Sequence, residues 1–241
     1  MNTRALRAQV TAETRMTLER GETLLVTLGI PVVLLVFFSL VPVLPTGTRH
    51  RVDFLAPGVL ALAVMSTAMV SLGIATAFER SYGVLRRLGA TPLGRPMLLA
   101  AKIASVLVVE AIQVVVLVVV ALALGWRPHP AAGLAIVAVL LATVAFAGIG
   151  LAMAGALRAE VTLAVANGVY VVLLLIGGVL FPLHELGAMA DFARLLPTAA
   201  LSDALHSTLG SGSGATLGSW IALAAWAVAA PAVAASTFKW D

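Results

Sequence analysis

Six hydrophobic helices crossing a lipid bilayer are the expected architecture of this 241-residue chain: an all-α integral membrane protein. Composition is the first reason, with 61% of residues hydrophobic, 11% charged and a mean hydropathy of +1.07. Soluble proteins carry roughly 25% charged residues, so this is not a soluble domain. Six apolar runs are the second reason, each near the ~20 residues a helix needs to cross the hydrocarbon core. The third is that the basic residues gather at the edges of those runs, as orientation in a membrane requires.

Taken in order, residues 1–22 read as an interfacial helix. Arg4, Arg7, Thr11 and Arg15 fall along one face, and Ala5, Ala8, Ala12 and Met16 form a weak apolar stripe on the opposite side. That pattern suits anionic headgroups; the plain alternative is a frayed, solvated tail. Spans follow at 23–44, 54–78, 98–124, 131–157, 161–181 and 216–236. The first begins only after some twenty polar residues and no A-x-A site follows it, so it reads as a span and not as a signal peptide. Two prolines in 125–130 separate spans three and four, because neither could sit inside a helix. Arg158 to Glu160 makes a tight turn between spans four and five. Span four carries Gly148, Gly150 and Ala152 among small residues on nearly every face, which permits close helix approach. Pro31, Pro57 and Pro231 are expected to kink their spans.

The segment 182–215 sits between spans five and six, punctuated by Pro182 and Pro197. Its apolar residues recur at helical spacing (Leu186, Met189, Phe192, Leu195, Leu196), which predicts two short amphipathic helices forming an outer re-entrant hairpin. Residues 1–241 are thus expected to form a single transmembrane domain. With the N-terminus inside, eleven lysines and arginines lie on the inner side and four on the outer, which places both termini in the cytosol. Trp126, Trp220 and Trp240 then fall at membrane interfaces.

Several chemistries are excluded. The net charge of +4 and a pI near 10.3 would suit nucleic acid, but the basic residues sit at membrane boundaries, so lipids and not nucleic acid are the expected partner. Cysteine is absent, which removes disulfides, a thiol nucleophile and cysteine metal sites. A phosphate-binding loop needs Gly-Lys followed by Ser or Thr, and the two lysines, Lys102 and Lys239, stand in Ala-Lys-Ile and Phe-Lys-Trp. His50, His129, His184 and His206 are scattered, and neither a zincin motif nor a G-x-S-x-G elbow is present. No enzyme activity and no cofactor bound by this chain are expected.

Two places carry chemistry. The first is a charged island from Glu79 to Lys102 between two apolar runs, holding Arg80, Arg86, Arg87 and Arg95. Val84, Leu85 and Leu88 can share one face of a short helix, with Arg86 and Arg87 turned elsewhere. Gly89 can end that helix, and Thr91-Pro92 can start the next turn. An apolar knob rimmed by arginines suits a groove on an acidic partner; alternatively the arginines only anchor orientation. The second place is Glu110, about 12 Å beyond Lys102 along the helix and near mid-bilayer, where an ionisable side chain is expensive and by default functional. Gln113 shares its face. The pair can line a translocation path, or it can bind another helix as packing glue.

The island, Glu79-Arg80, Gly83, Leu85-Arg86-Arg87-Leu88, Thr91-Pro92-Leu93 and Lys102, resembles the cytosolic loop between spans two and three in the permease subunits of type-2 ABC exporters. Gly178-Val-Leu-Phe181-Pro182-Leu, Leu196-Pro197-Thr198 and Asp203-Ala204-Leu205 resemble the end of span five and the outer hairpin of the same family. Together with the six spans and the N-terminal helix, these matches cover most of the chain. They look most like the compact bacterial permeases of drug and antibiotic exporters, of the cell inner membrane. The resemblance implies a second permease, identical or paralogous, and two copies of a separate ABC ATPase subunit that carry ATP and Mg. It makes residues 79–97 the coupling segment, with Glu79, Arg80, Val84, Leu85, Arg86, Arg87, Leu88, Thr91 and Pro92 facing the ATPase. Phe181, Pro182 and Pro197 belong to its outer gate. Amphipathic drugs, antibiotics, lipids or peptides are the substrates it suggests. Two rival classes remain: a proton-coupled transporter using Glu110, and a non-transporting membrane scaffold or immunity protein.

Overall fold

The computed structural model describes residues 3–19, 21–41, 51–85, 95–128, 132–179, 187, 189–210 and 216–237, and those residues are helical with short connections. α1 is Thr3–Glu19 and α2 is Gly21–Leu40. α3 (Arg51–Met65), a π-helical turn (Ser66–Ser71) and α4 (Leu72–Ser81) form one continuous rod. α5 is Arg95–Ala123, α6 Ala132–Ala156 and α7 Ala159–Ile176. A single turn, α8 (Ala190–Ala193), precedes α9 (Pro197–Leu209) and α10 (Leu217–Thr237).

Five of these rods are long and apolar enough to cross a membrane: Arg51–Ser81, Met97–Ala123, Gly133–Ala156, Ala159–Ile176 and Leu217–Thr237. The chain is a multi-pass membrane protein. In the first apolar run the described apolar stretch is Thr27–Leu40, within α2, and the expected span 23–44 runs on into 42–50, outside the described residues. The second helix extends past its expected ends, from Arg51 to Ser81, and is the most buried of the five.

α6 is the hub. It packs most extensively on α10 and also on α4, α9, the π turn and α3. Its small residues make this possible by meeting different partners on different sides. A Cβ on Gly148 would stand 2.5 Å from the Pro231 nitrogen of α10, and one on Gly150 would stand 2.5 Å from the Met69 carbonyl of the π turn. Close backbone approach of this kind replaces the hydrophobic drive that lipid removes.

One expectation needs correction, and two further segments show which of their side chains pack. On α1, the arginine and alanine rows are neighbours on the outer half: Arg7, Thr11 and Arg15 are exposed, and so are Ala8, Ala12 and Met16. The helix instead meets α5 through its polar side, with Glu13 buried and Gln9, Val10, Thr14 and Thr17 half-buried. In the hairpin, Met189, Phe192 and Leu195 are exposed, while the inward face is α9, with Ala200, Leu201, Ala204 and Leu205 buried against α3, α6 and α10. Trp126 is 3% exposed and packed into the core.

Candidate functional site

The end of α4 is tied inward on both sides. Arg80 donates through its two Nη atoms to the carbonyls of Gly155 and Leu157. Those carbonyls belong to the C-terminal end of α6, where helical acceptors lack intrahelical donors and a cation opposes the dipole. Glu79 turns the other way and accepts from Lys102 Nζ at 2.6 Å. Lys102 also donates to Glu13 of α1 at 3.1 and 3.3 Å, and its side chain is 1% exposed. Gln9 supports Glu13 with a 2.9 Å hydrogen bond. One ammonium thus joins α1, α4 and α5.

Beyond this anchor the chain turns outward. Gly83 adopts φ +71°, a left-handed conformation that favours glycine. Tyr82 is 73% exposed and Val84 39% exposed, whereas Leu85 is fully buried in the core. The apolar knob expected over Val84, Leu85 and Leu88 is therefore divided: Leu85 fastens the segment to the bundle, and Tyr82 with Val84 faces outward. Arg86, Arg87, Leu88, Thr91 and Pro92 lie outside the described residues, as do the knob's continuation and Arg95's side chain.

Glu110 and Gln113 are buried inside the bundle, each on a different neighbour. Thr143 of α6 donates its hydroxyl to Glu110 Oε2. Gln113 donates to the Thr27 carbonyl of α2 at 2.7 Å and accepts from Thr67 Oγ of the π turn at 3.0 Å. Both arrangements are interhelical hydrogen bonds, the packing alternative for this pair. Nothing in the chain flagged Thr67, Thr143 or the π turn beforehand. Glu13 and Lys102 did leave a trace, since a lone lysine in an apolar run needs an acid from elsewhere.

At the opposite end of the bundle, Pro197 is buried as the first residue of α9, with Leu196 extended before it. Phe181 and Pro182 lie outside the described residues. α9 is pinned by Ser202 Oγ to the Gly178 carbonyl (2.9 Å) and by Ser219 Oγ to Asp203 (2.6 Å). His206 Nε2 faces the Phe54 carbonyl at 3.0 Å and its Nδ1 the Ser202 carbonyl at 2.7 Å. Burial holds this histidine below its ordinary pKa, against the pull of those two carbonyls and of the Asp203 carboxylate. A depressed folded-state pKa means the unfolded chain binds the proton more tightly. Stability is then complete above about pH 6.5, the unperturbed value, and is lost as pH falls through the folded-state pKa. Melting curves in detergent should show wild type losing melting temperature below about pH 6.5, with His206→Gln flatter across the same interval. Parallel curves would remove His206 from the account.

Among the described residues, no group of three or more His, Asp or Glu is placed to hold a metal. The profile of the ABC-2 type transporter family matches residues 4–209, from the first turn of α1 to the end of α9. The chain belongs to the ABC-2 type transporter family. It is the membrane-embedded permease component of an ABC transporter, and permeases of this family typically work with an ATPase partner. A search of the curated proteins finds no match.

Proposed function

We propose that this permease is the transmembrane subunit of an ATP-driven exporter in a bacterial inner membrane, moving an amphipathic drug, antibiotic, lipid or peptide outward. It pairs with a second permease, identical or paralogous, and with two ATPase subunits that bind ATP and Mg. Both termini and the segment 79–97 lie in the cytosol, and the first apolar run is a sixth span. The route runs between the two permeases along α2, α3–α4 and α7, and the hairpin with Phe181, Pro182 and Pro197 gates release. Glu110 and Gln113 hold the bundle together and do not line that route.

The observation that carries this reading is the anchoring at the end of α4. Glu79 binds Lys102 of α5, which in turn holds Glu13 of α1, and Arg80 binds α6; two residues later the chain turns outward with Tyr82 and Val84 exposed. A push on the segment beyond Gly83 is then delivered to four helices together, as transmission from a closing ATPase requires. Leu85, Arg86, Arg87, Leu88, Thr91 and Pro92 complete the coupling segment, with Leu85 as its internal anchor.

The test is the double variant Tyr82→Ala/Val84→Asp, expressed with its neighbouring ATPase. Both positions are exposed, so the melting temperature of the permease should remain within error of wild type. ATPase co-purification and ATP-dependent efflux should fall at least tenfold. Undiminished co-purification and efflux would move the coupling contact away from this segment.

A further inference from the structure

A cavity of about 90 Å³ lies among α1, α2, the π turn, α4 and α5. That is well beyond the space a single water needs, so the cavity admits a small head group with part of a chain. Glu13, Glu79 and Lys102 form one side of it, while Met16, Leu72 and Val106 supply apolar wall.

The chemistry of this space is one-sided. Two carboxylates and one ammonium sum to a formal charge of minus one. Lys102 already faces both acids, at 2.6 Å from Glu79 and 3.1 Å from Glu13. Three of the five hydroxyls around the cavity have given away their single protons: Thr17 to the Glu13 carbonyl, Thr67 to Gln113 and Ser105 to the Lys102 carbonyl; the other two are those of Thr27 and Ser71. A hydroxyl that has donated offers only lone pairs. The occupant this arrangement favours brings positive charge and N–H donors together, with an apolar tail for Met16, Leu72 and Val106. An anion would meet the two carboxylates, and Lys102 is already committed to them.

We infer that the cavity is a binding site for a primary ammonium group on an apolar chain, held by Glu79 and Glu13. The same head is carried by an aminophospholipid and by a free amphipathic amine. The site concerns binding alone and stands whether or not the permease exports.

The probe is n-decylamine, with n-decanol as the uncharged control, added to the full-length permease in detergent, and binding is followed by native mass spectrometry and thermal shift. Decylamine should bind at least tenfold more tightly than decanol. Glu79→Gln should remove that preference and leave decanol binding unchanged, and Glu79→Asp should restore part of it. Lys102→Met should shift amine affinity the opposite way, because it frees both carboxylates; if that variant does not fold, the Glu79 pair decides alone. Equal binding of amine and alcohol to wild type, or a preference that survives in Glu79→Gln, overturns the site.

Lipid nanodiscs separate the two sources. Retention of phosphatidylethanolamine over phosphatidylcholine by wild type but not by Glu79→Gln, with decylamine displaced by that lipid, identifies a resident lipid headgroup. Decylamine binding undisturbed by phosphatidylethanolamine identifies a free amine.

Discussion

Lys102→Met is expected to destabilise the permease by about 3–5 kcal/mol, the range for removing one partner of a buried ion pair. The side chain is 1% exposed, and its two acceptors, Glu13 and Glu79, have side chains only 10% and 23% exposed. Methionine fills much of the same volume, so packing changes little and the loss is electrostatic. Two carboxylates are left close together with no cation among the described residues to separate them. Thermal unfolding in detergent should show the drop, and α1 should become the first site of limited proteolysis, because Glu13 is its charged tie to α5. The triple variant Glu13→Gln/Lys102→Met/Glu79→Gln should recover most of the loss, since it removes the charges as a set. A single variant that melts like wild type with α1 still protected would mean that the triad does not hold the helix.

That triad also marks the boundary of what could be read from residue order. The spanning helices were legible, because crossing a bilayer demands a long apolar run and apolar runs are local. The tight turn at Arg158 and the close approaches of Gly148 and Gly150 follow from composition in the same way. Which face of a helix meets protein was not legible where lipid and protein are equally apolar: the alanines of α1 and the residues Met189, Phe192 and Leu195 look outward although their spacing suits burial. The contacts of Lys102 join residues 89 and 23 positions apart, and no local period encodes such a pairing. Arg80 looked like a surface charge in an arginine-rich island, yet it caps another helix 75 residues away. Leu85 shared the expected knob with Val84, and only the left-handed turn at Gly83 separates the one that packs from the one that shows.

Substituting Gly150 by valine is expected to cost about 3 kcal/mol or more, at the upper end of the range for overpacking a filled interior. The obstacle is backbone and cannot rotate away: the new Cβ would lie 2.5 Å from the Met69 carbonyl oxygen and 3.2 Å from its carbonyl carbon. α6 must then retreat from the π turn, which carries the Thr67 contact to Gln113. Gly148→Val should cost a similar amount by a different route, pushing α10 away at the Ala230–Pro231 backbone, 2.5–2.6 Å from the added atom. Gly133→Val, in the same helix, and Gly168→Val, in α7, provide the comparison, because nothing lies within 4 Å of a Cβ at either position. Those two should melt within about 0.5 kcal/mol of wild type, since valine in place of glycine also relieves some backbone entropy. The two pairs share one chemical change and differ in what the Cβ meets. Four melting curves with no such division would show that close backbone approach at α6 is not what holds the hub together. A clear division would assign the stability of α6 to the absence of side chains at Gly148 and Gly150.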